Sequence, residues 1–229
     1  MYTKWLNVLS EVQLFNRMER DDINRLLLCM APLVSTFKKN EYIIIENDEC
    51  NGPGIVLNGE IIVSKENAAG DRMILSKLET GDLFGEIFSF AGTNRWMASV
   101  SAVTDCTVMF IPADKLYGNC AHQCTSHKLM IQNMLQIVSQ KAMMLNKKVD
   151  YLTIKSIRAK VSTYLLEEYE RCQKLYFIIP LKRNELADFL NVTRPSLSRE
   201  LIKMKEEGMI DFYRSSFKIT DLDALKGQV

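Results

Sequence analysis

At 229 residues the chain has room for one or two domains, and a hydrophobic share of 47% fits a globular protein with a real core and excludes a disordered one. Lysine and arginine nearly balance aspartate and glutamate, for a net charge of +1, so any nucleic-acid footprint must be confined to one face. The first ten residues lack a basic start followed by an apolar core, no apolar run approaches a membrane span, and six scattered cysteines fit no small disulfide scaffold; the expectation is a cytosolic protein with free thiols and no membrane partner.

In chain order, Trp5 to Leu9 and Arg20 to Met30 are predicted helical, the second opened by Asp21 and Asp22 and closed near Pro32. From Phe37 the period changes. Tyr42 to Ile45 is β-branched and aromatic, and Ile55 to Leu57 is expected to meet Ile61 to Val63 across Asn58-Gly59, because Asn-Gly is the strongest short signal for a two-residue hairpin turn. A second hairpin joins Ile61–Lys65 to Arg72–Lys77 around the turn-rich residues 67–71, and Ala98–Ala102 and Thr107–Ile111 supply two more short strands. Many short strands with turns about every ten residues predict a sandwich or barrel. Glu79 to Glu86 breaks that rhythm with Gly81 and Gly85 and leads into a brief helix around Ile87 to Ala91.

Cys120, His122, Cys124 and His127 form the richest cluster of thiols and imidazoles, a chemistry that suits zinc or iron. The spacing has no Cys-x2-Cys pair, so helix-entry residues are the plainer reading and no metal is assigned. Met130, Met134, Met143 and Met144 read as core and seam filler rather than a copper site. From Ile131 the apolar residues recur at alternating spacings of four and three: Ile131, Leu135, Val138, Ala142, Leu145, Val149, Leu152. A strict 3.5 repeat keeps one narrow stripe facing a partner helix, which predicts a dimeric coiled coil; the alternative is a long core helix within one subunit.

After Leu152 the heptad fades, and Ile154 to Glu170 reads as a new amphipathic helix, followed by an extended piece at Phe177–Pro180. The run from Arg183 to Ile202 is a helix-turn-helix pattern. Leu186 and Leu190 face Leu197 and Leu201, small Ala187 permits a close crossing, Asn191 suits the left-handed turn position, Thr193 caps the second helix and Pro195 sits in its first turn. Leu197, Leu201 and Met204 form one face of that helix, and Pro195, Ser196, Arg199 and Lys203 the other. Between Arg194 and Lys205 the cations Arg194, Arg199, Lys203 and Lys205 oppose Glu200 alone. Met209–Tyr213 and Phe217–Thr220 around Arg214-Ser215-Ser216 then read as a small hairpin, the wing.

The order of Asn58-Gly59-Glu60, Gly81-Asp82-Leu83-Phe84-Gly85-Glu86 and Ala102-Val103-Thr104-Asp105-Cys106 resembles the β-roll of the cyclic-nucleotide-binding fold. It is similar to the sensor half of the bacterial cyclic-AMP receptor protein and fumarate-nitrate regulator (Crp/Fnr) superfamily, and Arg194-x-x-x-Ser198-Arg199 resembles that superfamily's recognition helix. The resemblance implies an α+β chain: a β-roll over 1–127, a coiled-coil dimerisation helix over 128–152 and a winged helix-turn-helix over 153–229. It also implies an effector pocket at Gly85, Glu86, Arg95, Trp96 and Met97, with the glutamate on the ribose and an arginine and hydroxyl on the phosphate. Here Trp96 and Met97 occupy the arginine and hydroxyl positions and Arg95 is one position off, which in a strand is the opposite face. Cyclic AMP binding in the usual manner is therefore not expected, and an apolar ligand, another signal and a vestigial site stay open.

Double-stranded DNA with an inverted-repeat operator, a second copy of the chain, RNA polymerase and an unknown small-molecule effector are the partners this resemblance implies, with Arg194, Pro195, Ser196, Ser198, Arg199 and Lys203 on the DNA. Pro195 replaces the family's usual glutamate, leaving preference at that base pair open. No nucleophile-base signature or phosphate-cradling loop is present, so no catalytic residue and no cofactor are assigned. The competing reading is a cyclic-nucleotide-binding regulatory subunit that acts through protein contacts.

Overall fold

The computed structural model describes residues 2–66, 72–91, 93, 95–117 and 124–229. Two compact units divide the chain between Gln140 and Lys141. Among the described residues no helix is long and apolar enough to cross a membrane.

The N-terminal unit opens with short helical turns, α1 (Leu6–Leu9) and α2 (Arg20–Met30). In α2 the residues Ile23, Leu26, Leu27 and Met30 recur at helical spacing and are all buried. Asp21 and Asp22 lie in its first turn, where the helix dipole favours negative charge, and left-handed Ala31 closes it. The strands follow: β1 (Leu33–Phe37), β2 (Tyr42–Ile44), β3 (Gly54–Asn58), β4 (Glu60–Glu66), β5 (Arg72–Glu79) and β6 (Leu83–Phe84). Then come α3 (Glu86–Phe90), β7 (Ser99–Ala102), β8 (Cys106–Phe110), α4 (Ala113–Tyr117) and the long helix α5 (Thr125–Thr153).

Among the described residues these strands form two four-stranded antiparallel sheets, ordered β1-β8-β3-β6 and β2-β7-β4-β5. Val56 and Val108 of the first sheet share an apolar cluster with Ile44, Ile61, Val100 and Ala102 of the second. The alternating residues Ile55, Leu57 and Met109 instead join a cluster with α2 and with Met130, Met134 and Ile137 of α5. The first sheet is thus covered on both faces, which explains the continuous apolar run of β3.

One expectation is overturned. Asn58-Gly59 is not a hairpin turn: β3 belongs to the first sheet and β4 to the second, so the chain crosses between sheets there. A two-residue hairpin of that type needs positive φ at both central residues, and only Gly59 has it, at +89°. A Cβ on Gly59 would stand 2.5 Å from the Asp105 carbonyl oxygen and 2.7 Å from Cys106 Cβ, so the glycine serves the close passage of the β7–β8 connection. The strands on either side of that connection likewise lie in different sheets. The β4–β5 hairpin forms as expected, paired from Glu60 opposite Glu79 to Glu66 opposite Arg72 with a one-residue register shift between Val63 and Ser64, while its turn at 67–71 lies outside the described residues.

In the C-terminal unit α5 ends at Thr153 and α6 (Ile157–Cys172) begins three residues later than its apolar spacing suggests, because Ser156 Oγ accepts from the Ala159 amide at 2.9 Å and caps it. β9 (Tyr176–Ile178), α7 (Arg183–Phe189), α8 (Arg194–Glu206), β10 (Ile210–Tyr213), β11 (Ser216–Ile219) and α9 (Leu222–Lys226) follow. The extended piece before α7 becomes the third strand of a sheet ordered β10-β11-β9. Helix α9, unsignalled by a long apolar period, is capped by Asp221 and pinned by buried Leu225.

Candidate nucleic-acid interface and ligand pocket

Helices α7 and α8 cross on Leu186, Ala187, Leu190, Leu197 and Leu201, all at most 2% exposed. Between them Asn191 is left-handed at φ 51°, and the Val192 amide donates to the Ala187 carbonyl at 3.0 Å. Buried Lys160 of α6 donates from Nζ to the Leu190 carbonyl at 2.9 Å, placing a cation where the helix dipole is negative. Thr193 Oγ1 accepts from the Ser196 amide at 3.4 Å and starts α8, with Pro195 in the first turn. Leu197, Leu201 and Met204 are fully buried. Arg194, Pro195, Arg199 and Lys203 are exposed, and Ser196 and Ser198 are half-buried beside them. Arg199 rests back along its own helix, with 3.4 Å contacts to the Pro195 carbonyl and Ser196 Oγ, long enough to be given up readily.

The charge on this face is sorted by contacts that the sequence count does not reveal. Arg158 of α6 donates from Nε to Glu200 at 2.6 Å and, through both terminal nitrogens, to the two oxygens of Glu207 at 2.6 and 2.7 Å. The one anion of α8 between Arg194 and Lys205 is thereby neutralised from behind. Lys205 pairs with Asp211 at 2.5 Å and is tied to the wing. Arg194, Arg199 and Lys203 remain as the outward cations. Arg158 was not among the sequence candidates, although Glu200 and Glu207, two turns apart on one helix face, were the available signal. Wing cations were also missed: Arg214, left-handed at φ 53° and 5.4 Å over the Tyr213 ring, and exposed Lys218. Arg183 is not available to a ligand in the same way. It stacks over Phe212 and Phe217 at 5.0 and 5.5 Å and donates to the Arg214 carbonyl, and burial, then nearby Arg194, lowers its pKa.

In the N-terminal unit Gly85, Glu86 and Trp96 come together. Gly85 has φ +77°, and a Cβ there would lie 2.0 Å from the Trp96 ring. Trp96 is 3% exposed and packs against Phe84 and Phe88 at ring distances of 6.0 and 5.6 Å. Glu86 opens α3 and is buried, so it is not a solvated loop carboxylate. Arg95 and Met97 are exposed while Trp96 and Ala98 are buried, the alternation of extended chain. The Arg95 guanidinium donates to the Asn47 carbonyl at 2.7 Å.

His127 is a buried core residue whose Nε2 lies 3.3 Å from the Leu116 carbonyl, and Cys124 is half-buried; Cys120 and His122 lie outside the described residues. Among the described residues no group of three potential ligands could hold a metal ion. On α5, Met130, Asn133, Met134 and Ile137 are buried in the N-terminal unit, and Asn133 Nδ2 donates to the Leu14 and Asn16 carbonyls at 3.0 and 2.9 Å. The heptad residues Ile131, Leu135, Ala142, Leu145, Val149 and Leu152 are exposed, and Val138 is half-buried, so the seam is not this chain's own core. Ile131, Leu135 and Val138 also edge a wholly apolar cavity of about 160 Å³ reaching in to Phe90, Leu116, Met130 and Met134.

Residues 34–123 match the cyclic nucleotide-binding domain family, and residues 159–227 match the Crp-like helix-turn-helix domain family. A Lacticaseibacillus casei protein named "Probable transcriptional regulator flp" is 26% identical over 172 residues, 74% of each chain. Among solved structures the chain is similar to the Thermus thermophilus catabolite activator protein, with TM-score 0.54 and 19% identity over 94% of this chain and 97% of that one. A mutant of CooA from Carboxydothermus hydrogenoformans also gives TM-score 0.54 at 19% identity, over 87% and 88% of the two chains. At these identities the structural likeness fixes the fold.

The Arg158 clamp has a signed pH dependence. Its hydrogen bonds hold the Glu207 carboxyl below the ordinary value of 4.5, so its contribution is fully present above that value and is lost as pH falls through the lowered one. Thermal unfolding of Arg158→Met should begin below wild type at neutral pH, with the gap closing below about pH 4. A gap of the same size at every pH would show that the clamp works through packing and not through charge.

Proposed function

The chain belongs to the Crp/Fnr family of transcription regulators, and from that premise we propose that it acts in the cytoplasm as a homodimer whose β-roll senses a signal and passes it to two DNA-binding heads. It carries no catalytic role in this reading. The observation that supports DNA contact most directly is the outward face of α8, where Arg194, Arg199 and Lys203 stand exposed while Glu200 is held by Arg158. A helix with that face fits the major groove, where a guanidinium can bridge O6 and N7 of guanine. Arg199, one turn in, reads a base, and Arg194 at the helix start reaches a guanine or a phosphate. Pro195, Ser196 and Ser198 lie against the same groove, Lys203 contacts the backbone, and RNA polymerase is the further protein partner. Dimerisation runs along the exposed heptad of α5, whose second copy covers the apolar cavity at its edge.

The effector is a molecule other than cyclic AMP bound in the usual manner, because Trp96 is packed against Gly85 and the Arg95 guanidinium is engaged with Asn47. Calorimetry with cyclic AMP should give no saturable heat. Tight binding that disappears in Glu86→Ala would overturn this part of the reading.

Binding selection with the purified protein should return an inverted repeat with half-sites about 34 Å apart, one turn of the double helix. Arg199→Ala is expected to cost about 1–3 kcal/mol per half-site and relax preference at one guanine, whereas Lys203→Ala should weaken all sequences alike and flatten the salt slope. A selected motif unchanged in Arg199→Ala would remove α8 as the reader. Retardation of no DNA at all would favour a regulatory subunit acting through protein contacts.

Replacing Leu145 and Val149 together with glutamate should give monomers, since each pair of copies would bury like charges across the seam. Sedimentation velocity reads this directly, and a persistent dimer would move the interface off the heptad.

A further inference from the structure

The three non-helical residues 154–156 between α5 and α6 look like a natural hinge. Contacts on both sides of them argue otherwise. Tyr151, near the end of α5, is 1% exposed within the same apolar cluster as Tyr164, Leu165, Leu186 and Leu190. Its ring meets Phe189, the last residue of α7, edge-on at 5.0 Å. Its hydroxyl donates to Glu167 Oε2 on α6 at 2.9 Å. That same oxygen takes Lys147 Nζ at 2.5 Å, so one α6 carboxylate holds two α5 side chains one turn apart. Burial first, and the Glu167 hydrogen bond second, raise the Tyr151 phenol well above its ordinary range, so it stays a donor wherever the protein is folded. Ile154, the first residue of the break, and Ile157, the first of α6, pack on the same cluster. Bending at the break would have to extract a buried aromatic ring and separate a carboxylate from its two partners.

We propose that α5 from Lys147 onward is built into the DNA-binding unit, with Glu167 as the positioning residue that locks it there. The positioning role rests on the two-headed reading proposed above. The anchor also fixes how each recognition helix is presented by the paired α5 helices, and two correctly presented heads bind an inverted repeat far more tightly than either binds alone.

Hydrogen exchange on the full chain tests the anchor. In wild type the amides of residues 147–153 should exchange as slowly as those of α6, and both Tyr151→Phe and Glu167→Ala should speed that stretch about tenfold while leaving α8 within about threefold of wild type. Glu167 is partly exposed, so its loss leaves the core intact. Fast exchange of 147–153 in wild type, or acceleration spread equally over α8, would overturn the proposal. The same variants, bound to a duplex carrying one half-site and to one carrying the inverted repeat, test the positioning role. The expected result is a loss of about tenfold on the inverted repeat and less than about twofold on the single half-site. Equal losses on both duplexes would refute it. A wild-type chain with no preference for the inverted repeat would instead strike the two-headed reading, and the exchange result would still decide the anchor.

Discussion

Everything on the long helix depends on its rotational setting about its own axis, and one side chain does most to fix that setting. Asn133 is buried and spends both amide hydrogens on the carbonyls of Leu14 and Asn16. A buried amide left without those acceptors costs about 1–3 kcal/mol, whereas the bonds themselves add little over solvation by water. The residue therefore acts against alternatives more than it adds stability. Turning α5 by one residue, about 100°, would expose Met130, Met134 and Ile137 and strand the amide. With the setting fixed, the heptad stripe has no choice but to face outward.

The parts of the molecule legible in the sequence are those encoded within a few residues. The capping threonine at 193, the proline at 195, left-handed Asn191 and the spacing of Leu186, Leu190, Leu197 and Leu201 are local devices, and the structure keeps each of them. Strand pairing is different. Asn58-Gly59 has the local chemistry of a hairpin turn, but the sheets it links are decided by contacts with Asp105 and Cys106, far away in sequence. Arg158 was invisible for the same reason, since its value comes from two acids on another helix. Four cations stand on α8 between positions 194 and 205, but Lys205 is tied to Asp211, a pairing that no local spacing encodes.

Where the resemblance to nucleotide-binding folds leads to the expectation of a phosphate cassette, the structure holds aromatic packing. Where a phosphate would need a fixed guanidinium fork, an indole instead fills the space beside Gly85 and makes aromatic contacts with Phe84 and Phe88. Buried Glu86 stands at the start of α3. The alternation that buries Trp96 and Ala98 also turns Arg95 outward, so the register that packs the indole inward leaves the guanidinium on the surface, donating to the Asn47 carbonyl.

The interleaving of the two sheets bears on how the chain comes to be folded at all. Thr36 of β1 finds its partner in Thr107, and Tyr42 of β2 finds Ser101, so the first strands made during synthesis have nothing to pair with until β7 and β8 have emerged. Pairings so far apart in sequence close slowly, because the loop entropy is spent before the contacts form. By the time α5 leaves the ribosome, the roll it packs against has only just become able to close. The long helix is thus made after the last strand its own domain needs, an order in which the roll can close before the exposed apolar stripe of α5 is available to any other surface.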